Sequence, residues 1–181
     1  MLRPADATET AEAWRTAITH TNGPVCLVLT RQKLGYIDRE KYASAAGVAK
    51  GGYVLADVKG GAPQVVLMSS GSEVALVMAA AEKLAERNVR ARVVSMPSHE
   101  LFAAQPAAYR ASVLPAGVPR VAIEAAHPMS WYRWVGDSGV VLGIERFGAS
   151  APYEQLYSEL GLTVDKLVAA AETVVAEAAG R

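Results

Sequence analysis

Apolar positions change their spacing several times along the chain, and each change marks an element. Asp6 followed by Glu9 has the form of a helix start, with an acceptor at the cap and an acid in the first turn, so a helix is predicted from about Ala7 to His20. Asn22-Gly23-Pro24 ends it. Val25 to Thr30 is an unbroken apolar run of strand length, the pattern of a strand covered on both faces. One helix and one strand cannot bury each other, because a central strand needs neighbours on both edges. Residues 1–32 therefore read as the end of a sheet whose remainder lies elsewhere.

From Gln32 to Gly61 charge is mixed and small residues are scattered, and no period holds until Tyr53-Val54-Leu55. This stretch reads as a linker, residues 33–52, followed by a short strand. Beyond Pro63 the pattern becomes regular. Val65–Met68 is a strand, and Ser72 is placed to cap a helix carrying Val74, Val77, Met78, Ala81 and Leu84 at helical spacing. Arg90–Ser95, Val121–Ile123 and Val140–Ile144 supply three more strands. Helices are predicted over Ser98–Ser112, broken, over Tyr153–Leu160, and from a Thr163 cap to about Ala178. Strands alternating with helices imply an α/β fold: a parallel sheet with helices on both faces. The run at Tyr53 and the four after Pro63 make five strands.

Composition narrows the functional classes. The 181 residues are 51% hydrophobic and carry 18 Lys+Arg against 18 Asp+Glu. Zero net charge removes the electrostatic case for nucleic acid or an anionic membrane surface, and no apolar window reaches the roughly 18 residues of a membrane span. No signal-peptide core follows Met1, so the expected location is cytoplasmic. The single cysteine, Cys26, cannot form an internal disulfide and is expected to pack as a small hydrophobe.

Chemistry-bearing residues are sparse. His20, His99 and His127 have no second ligand at metal spacing, so no metal site is expected. Gly136-Asp137-Ser138-Gly139 looks like a protease nucleophile segment, but it precedes a strand in an α/β pattern and reads as a turn. Ser70, Gly71 and Ser72 lie where a strand gives way to a helix, a place that can hold an anion through free amides; capping alone also explains them. Arg31 follows the Val25–Thr30 run, where a guanidinium would face the ligand crevice of a parallel sheet and suit a phosphate or carboxylate; a surface salt bridge at a strand end explains it equally well. Trp131, Tyr132 and Trp134 form either a contact surface or part of the core.

Seven segments in order carry a resemblance to one family. They are Arg3-Pro4-Ala5-Asp6, Leu29-Thr30-Arg31-Gln32, Gly51-Gly52-Tyr53-Val54-Leu55, Ser70-Gly71-Ser72-Glu73-Val74, Arg92-Val93-Val94-Ser95-Met96-Pro97, Tyr109-Arg110 with Val113-Leu114-Pro115, and Arg146-Phe147-Gly148-Ala149-Ser150-Ala151-Pro152. At this spacing the chain resembles transketolase along essentially its whole length. The resemblance implies a C-terminal fragment: residues 1–32 as the tail of a pyrimidine-binding domain, 33–52 as linker, and 53–181 as the complete C-terminal domain. It further implies a three-layer α/β/α unit whose five-stranded mixed sheet has one antiparallel strand.

The family moves a two-carbon ketol unit between sugar phosphates with thiamine diphosphate and Mg²⁺ or Ca²⁺, as part of the pentose phosphate pathway. The resemblance places the coenzyme and metal ligands outside these residues, so this chain is expected to carry no catalytic, cofactor or metal residue and to be inactive alone. The one functional position it transfers is Arg31, as a clamp on the sugar phosphate. A homodimer is implied for the parent enzyme. Two other readings stay open: a free-standing binding or dimerisation module, and the C-terminal subunit of a split enzyme.

Overall fold

The computed structural model describes residues 1–180. Five strands form one sheet: β1 (Tyr53–Ala56), β2 (Val65–Ser69), β3 (Ala91–Ser95), β4 (Arg120–Ile123) and β5 (Val140–Leu142), in the order β1-β3-β2-β4-β5. β1 runs antiparallel to β3, with a register shift between Val54 and Ala56, and all other pairs are parallel. Five strands match the pattern, and the mixed, mostly parallel α/β sheet that the resemblance implies is the observed one, whereas the pattern alone implies an all-parallel sheet.

Alternation along the strands sends side chains to two cores. Val65, Leu67, Val93, Val121 and Ile123 face one layer, where they meet Val74, Val77 and Leu84 of helix α2 (Val74–Glu86) and Leu167, Ala171 and Val174 of α7 (Val164–Ala179). Val66, Met68, Val94 and Ala122 face the other. There they pack against Phe102 of α3 (His99–Ala103), Val113 of α4 (Ala107–Val113), and Trp131 and Trp134 of α5 (Met129–Val135). Helix α6 (Tyr153–Leu160) precedes α7, whose Thr163 cap accepts from the Lys166 amide.

Several local expectations need correction. The predicted helix over 98–112 is two short helices, because Pro106 has no amide to continue the first. Helix α2 begins at Val74, after a single 3-10 turn over Gly71–Glu73, and Ser72 does not cap it. The aromatic group is split: Trp131 and Trp134 are buried, while Tyr132 is exposed. The α5 helix itself was not foreseen.

At the other end, α1 (Ala7–Thr19) forms as predicted, and the Glu9 amide donates to the Asp6 carboxylate at 2.8 Å. Its Glu9 carboxylate is fully buried. One oxygen accepts from the Tyr53 and Ser95 hydroxyls, both at 2.7 Å, and the other from the Ala5 amide at 2.8 Å. Burial pushes this carboxyl up, against the pull of those donors and of Arg39. Arg39 in turn pairs with Asp6 at 2.9 Å. A 3-10 helix, Ala45–Lys50, packs against α1 and leads into β1.

Val25–Thr30 is not a strand. A single parallel bridge joins Leu27 to Leu2, and Cys26 is exposed rather than packed. A strand exists through the partners its backbone finds, and this run finds one residue's worth.

Candidate functional site

The sheet changes winding direction between β2 and β4. The connection after β2 passes through α2 to β3 on one side, and that after β4 passes through α5 to β5 on the other. In such sheets the crevice beyond the carboxyl ends of these two strands is the usual ligand seat. Here it is lined by Ser70, Gly71, Ser72 and Glu73 after β2 and by Glu124 after β4.

Arg3 fills it. Its guanidinium lies 2.6 Å from Glu73 and 2.5 Å from Glu124, and it donates to the Ser70 carbonyl at 2.6 Å and to the Ser72 hydroxyl at 3.2 Å. The carboxylates are satisfied on their other sides as well. Glu73 accepts from the Ser72 hydroxyl at 2.6 Å, the Ala125 amide at 3.0 Å and the Tyr157 hydroxyl. Glu124 accepts from the Ser70 hydroxyl at 2.9 Å and the Trp131 indole at 3.1 Å. Burial pushes the Glu124 carboxyl up to about 7; Arg3 opposes this and Glu73 reinforces it. Burial would lower Arg3, but Glu124 and Glu73 together raise it, so the guanidinium stays charged.

The serine and glycine turn proposed from the sequence as an anion seat thus holds a cation of the chain itself. The Gly71 amide donates to the Arg3 carbonyl at 2.9 Å. Gly71 has φ +57, and a Cβ there would lie 2.7 Å from the Arg3 guanidinium carbon, so both conformation and space call for glycine.

Arg31 lies apart from this crevice. It sits in a bend after Thr30 and is exposed, with no hydrogen bond or ion pair among the described residues. Apolar side chains close to it along the chain are uncovered too: Leu29 is 51% exposed and Tyr36 is 69%.

An open cavity of about 600 Å³ lies past the ends of β4 and β5, lined by Ala125, Ala126, His127, Ile144, Glu145, Arg146, Phe147 and Gly148. It includes part of the Arg146-Phe147-Gly148 segment, with Phe147 96% exposed. The sequence did not single it out as a site, although a segment of the resemblance supplies three of its eight lining residues.

His20 and His127 lie far from His99 in sequence, and His99 packs edge-on against the Trp131 ring at 4.5 Å, where burial holds it below the usual histidine range. Among the described residues no three His, Cys, Asp or Glu side chains converge as metal ligands. The buried carboxylates are committed to Arg3 and to hydroxyl and amide donors. The residues present therefore do not fit thiamine diphosphate and its cation.

Residues 51–163 match the transketolase-like TK C-terminal domain family. The chain belongs to this family. It is 51% identical over 176 residues to the plasmid transketolase of Cupriavidus necator, covering 97% of this chain and 26% of that protein. Its fold superposes on transketolase from Leishmania mexicana with a TM-score of 0.89 and 40% identity, over 97% of this chain and 25% of that one. It matches equally well, at 0.89 and 33% identity over 99% of this chain and 25% of that one, a Pichia stipitis transketolase in complex with sedoheptulose 7-phosphate. The chain spans about a quarter of the length of the transketolases it matches.

Proposed function

We propose that this chain forms the C-terminal part of a transketolase, which transfers a two-carbon ketol unit between sugar phosphates. The observation that carries the reading is the 51% identity to a transketolase across 97% of the chain, a span that includes both the five-stranded unit and the segment bearing Arg31. Thiamine diphosphate and Mg²⁺ or Ca²⁺ would be seated by other parts of the enzyme. On this reading the groups that carry the chemistry lie in those other parts, and the chain alone is inactive.

Arg31 is the group we assign to substrate. Its guanidinium is exposed and carries no protein partner among the described residues, as a phosphate clamp requires, and the fork geometry suits a phosphate bidentately. A clamp on a remote phosphate holds the reacting carbon in place without touching the bond that breaks. The exposed apolar side chains of Leu29 and Tyr36, close to it along the chain, are consistent with a further layer of the enzyme lying against this segment. Among the described residues no helix is long and apolar enough to cross a membrane, and we place the enzyme in the cytoplasm as a homodimer.

Two measurements test this. The purified chain, supplied with thiamine diphosphate, Mg²⁺, a ketose phosphate donor and an aldose phosphate acceptor, is expected to show no transfer; turnover by the chain alone overturns the assignment of the coenzyme seat to other segments. In the assembled enzyme, Arg31→Ala is expected to raise KM for phosphorylated substrates about tenfold or more, the scale of a lost charged hydrogen-bond pair, with a smaller change in kcat. Unchanged kinetics remove Arg31 from the site.

A further inference from the structure

The ligand crevice of the sheet is occupied by a residue from the N-terminal end of the chain, and that residue is adjacent to the backbone pairing of the segment before Arg31, whose Val25 and Leu27 also pack against the core. Arg3 is fixed at its backbone as well as its side chain: its amide donates to the Pro97 carbonyl at 2.8 Å, and its carbonyl accepts from Gly71 at 2.9 Å. The next residue back is Leu2. Its amide donates to the Cys26 carbonyl at 2.8 Å, and its carbonyl accepts from the Val28 amide at 2.9 Å. Among the described residues these two are the only backbone hydrogen bonds made anywhere in 21–36. The path to Arg31 therefore runs from the β2/β4 crevice through Arg3, to Leu2, to Leu27, and on three residues to the bend.

We propose that Arg3 is a positioning residue for Arg31: by plugging the crevice between β2 and β4 it anchors Leu2, and Leu2 holds the 25–31 segment in register with the five-stranded unit. The role of Arg31 in this statement rests on the phosphate reading above. The geometry favours a latch over a simple stabilising ion pair. Glu73 and Glu124 leave β2 and β4 on opposite sides of one guanidinium, so both oxygens are met only by a fork, and Gly71 leaves room for that fork and no side chain of its own. The two Arg3 backbone bonds, to Pro97 and Gly71, remain in any Arg3 variant, and the other side-chain restraints on residues 1–3 have fewer directed partners than the guanidinium. The Met1 ammonium lies 3.5 Å from Glu100, both well exposed, and the buried Leu2 side chain is apolar contact without direction.

Amide hydrogen exchange on the 181-residue chain reads the latch directly. With Arg3→Ala, exchange at Val28 and Gly71 is expected to accelerate about tenfold or more, while Leu67 and Ala122 in the central strands change by less than about threefold. The Trp131 indole resonance should move in the same variant, because its acceptor Glu124 loses its cation. Unchanged exchange at Val28 overturns the proposal. Should Arg3→Ala loosen the whole sheet, Arg3→Lys decides: an ammonium keeps the charge but has three donors and no planar fork for the four groups that Arg3 meets. Selective loss at Val28 supports the latch, and equal loss at Leu67 reduces Arg3 to a stability residue and overturns it. In the assembled enzyme, Arg3→Ala should raise KM for phosphorylated substrates and add nothing on top of Arg31→Ala; additive effects overturn the link between the two arginines. A silent Arg31→Ala in that assay removes the phosphate reading and leaves the exchange result at Val28 standing.

Discussion

β2 has hydrogen-bonded strands on both edges and a helical layer over each face, whereas the segment from Val25 to Thr30 has one bridge to Leu2 and leaves Cys26, Val28 and Leu29 exposed. The two stretches are similarly apolar. What separates them is the supply of backbone partners. Burial of side chains on a strand is worth its transfer free energy only where the peptide groups are paired as well, and β3 and β4 provide that pairing for one run and nothing comparable for the other. Hydrophobicity selects the candidates for a sheet; neighbours decide which of them become strands.

Truncation is the strongest way to break this contrast. Leu67→Ala, at a fully buried position in β2, is expected to cost about 2–5 kcal/mol through lost transfer energy and a residual cavity. Leu29→Ala should cost less than about 0.5 kcal/mol, the range of surface substitutions. Urea unfolding followed by circular dichroism measures both, and comparable losses would mean that the two segments are equally embedded.

Next in size is a pH effect from the crevice. Glu124 is raised from its ordinary value of 4.5 to about 7, so the folded chain binds that proton more tightly than the unfolded one. Its contribution is present in full below the ordinary carboxylate range and is lost as pH rises through the folded value. At 1.36 kcal/mol per unit, the loss between about pH 5 and about pH 8 is about 3 kcal/mol. The slope should flatten in Glu124→Gln, and the difference between the two proteins isolates this group from His99 and the other carboxylates. A slope that persists in the variant would place its origin elsewhere.

The smallest expected effect sharpens the comparison at the junction of the two regions. Glu9→Gln keeps an oxygen for Tyr53 and Ser95 but turns an NH₂ toward the Ala5 amide, two donors facing each other. A cost of about 2 kcal/mol follows, the scale of one buried donor left unpaired. Thermal unfolding checks it. Loss of protection confined to α1 would show that the first helix is attached through this carboxylate, and an unchanged midpoint would show that apolar contact alone holds it.

Much of the five-stranded unit was legible because its signals are local. Val65–Ser69, Val121–Ile123, the Thr163 cap and the Asp6–Glu9 helix start each declare themselves within a few residues. The start of α2 was displaced by one 3-10 turn, since Ser72 spends its hydroxyl on Glu73, Arg3 and Tyr157 instead of on a cap. Helix α5 follows Pro128 and is rich in aromatics, whose restricted rotamers give weak helix propensity; packing of Trp131 and Trp134 against the sheet makes it a helix. The crevice cluster was least legible. Ser70, Gly71 and Ser72 form a turn that could hold a charge, but its sign depends on Arg3, Glu73 and Glu124, which lie far apart along the chain and whose convergence no local pattern shows.

The margins of the sheet are blunt on both sides. One is a four-residue antiparallel strand whose register slips at Val54, and the other is a three-residue strand closed in by Gly139 and Gly143. Neither offers a long, flat row of free peptide groups on which another chain could stack, so self-association through these margins is discouraged, and contacts between molecules are left to side-chain surfaces.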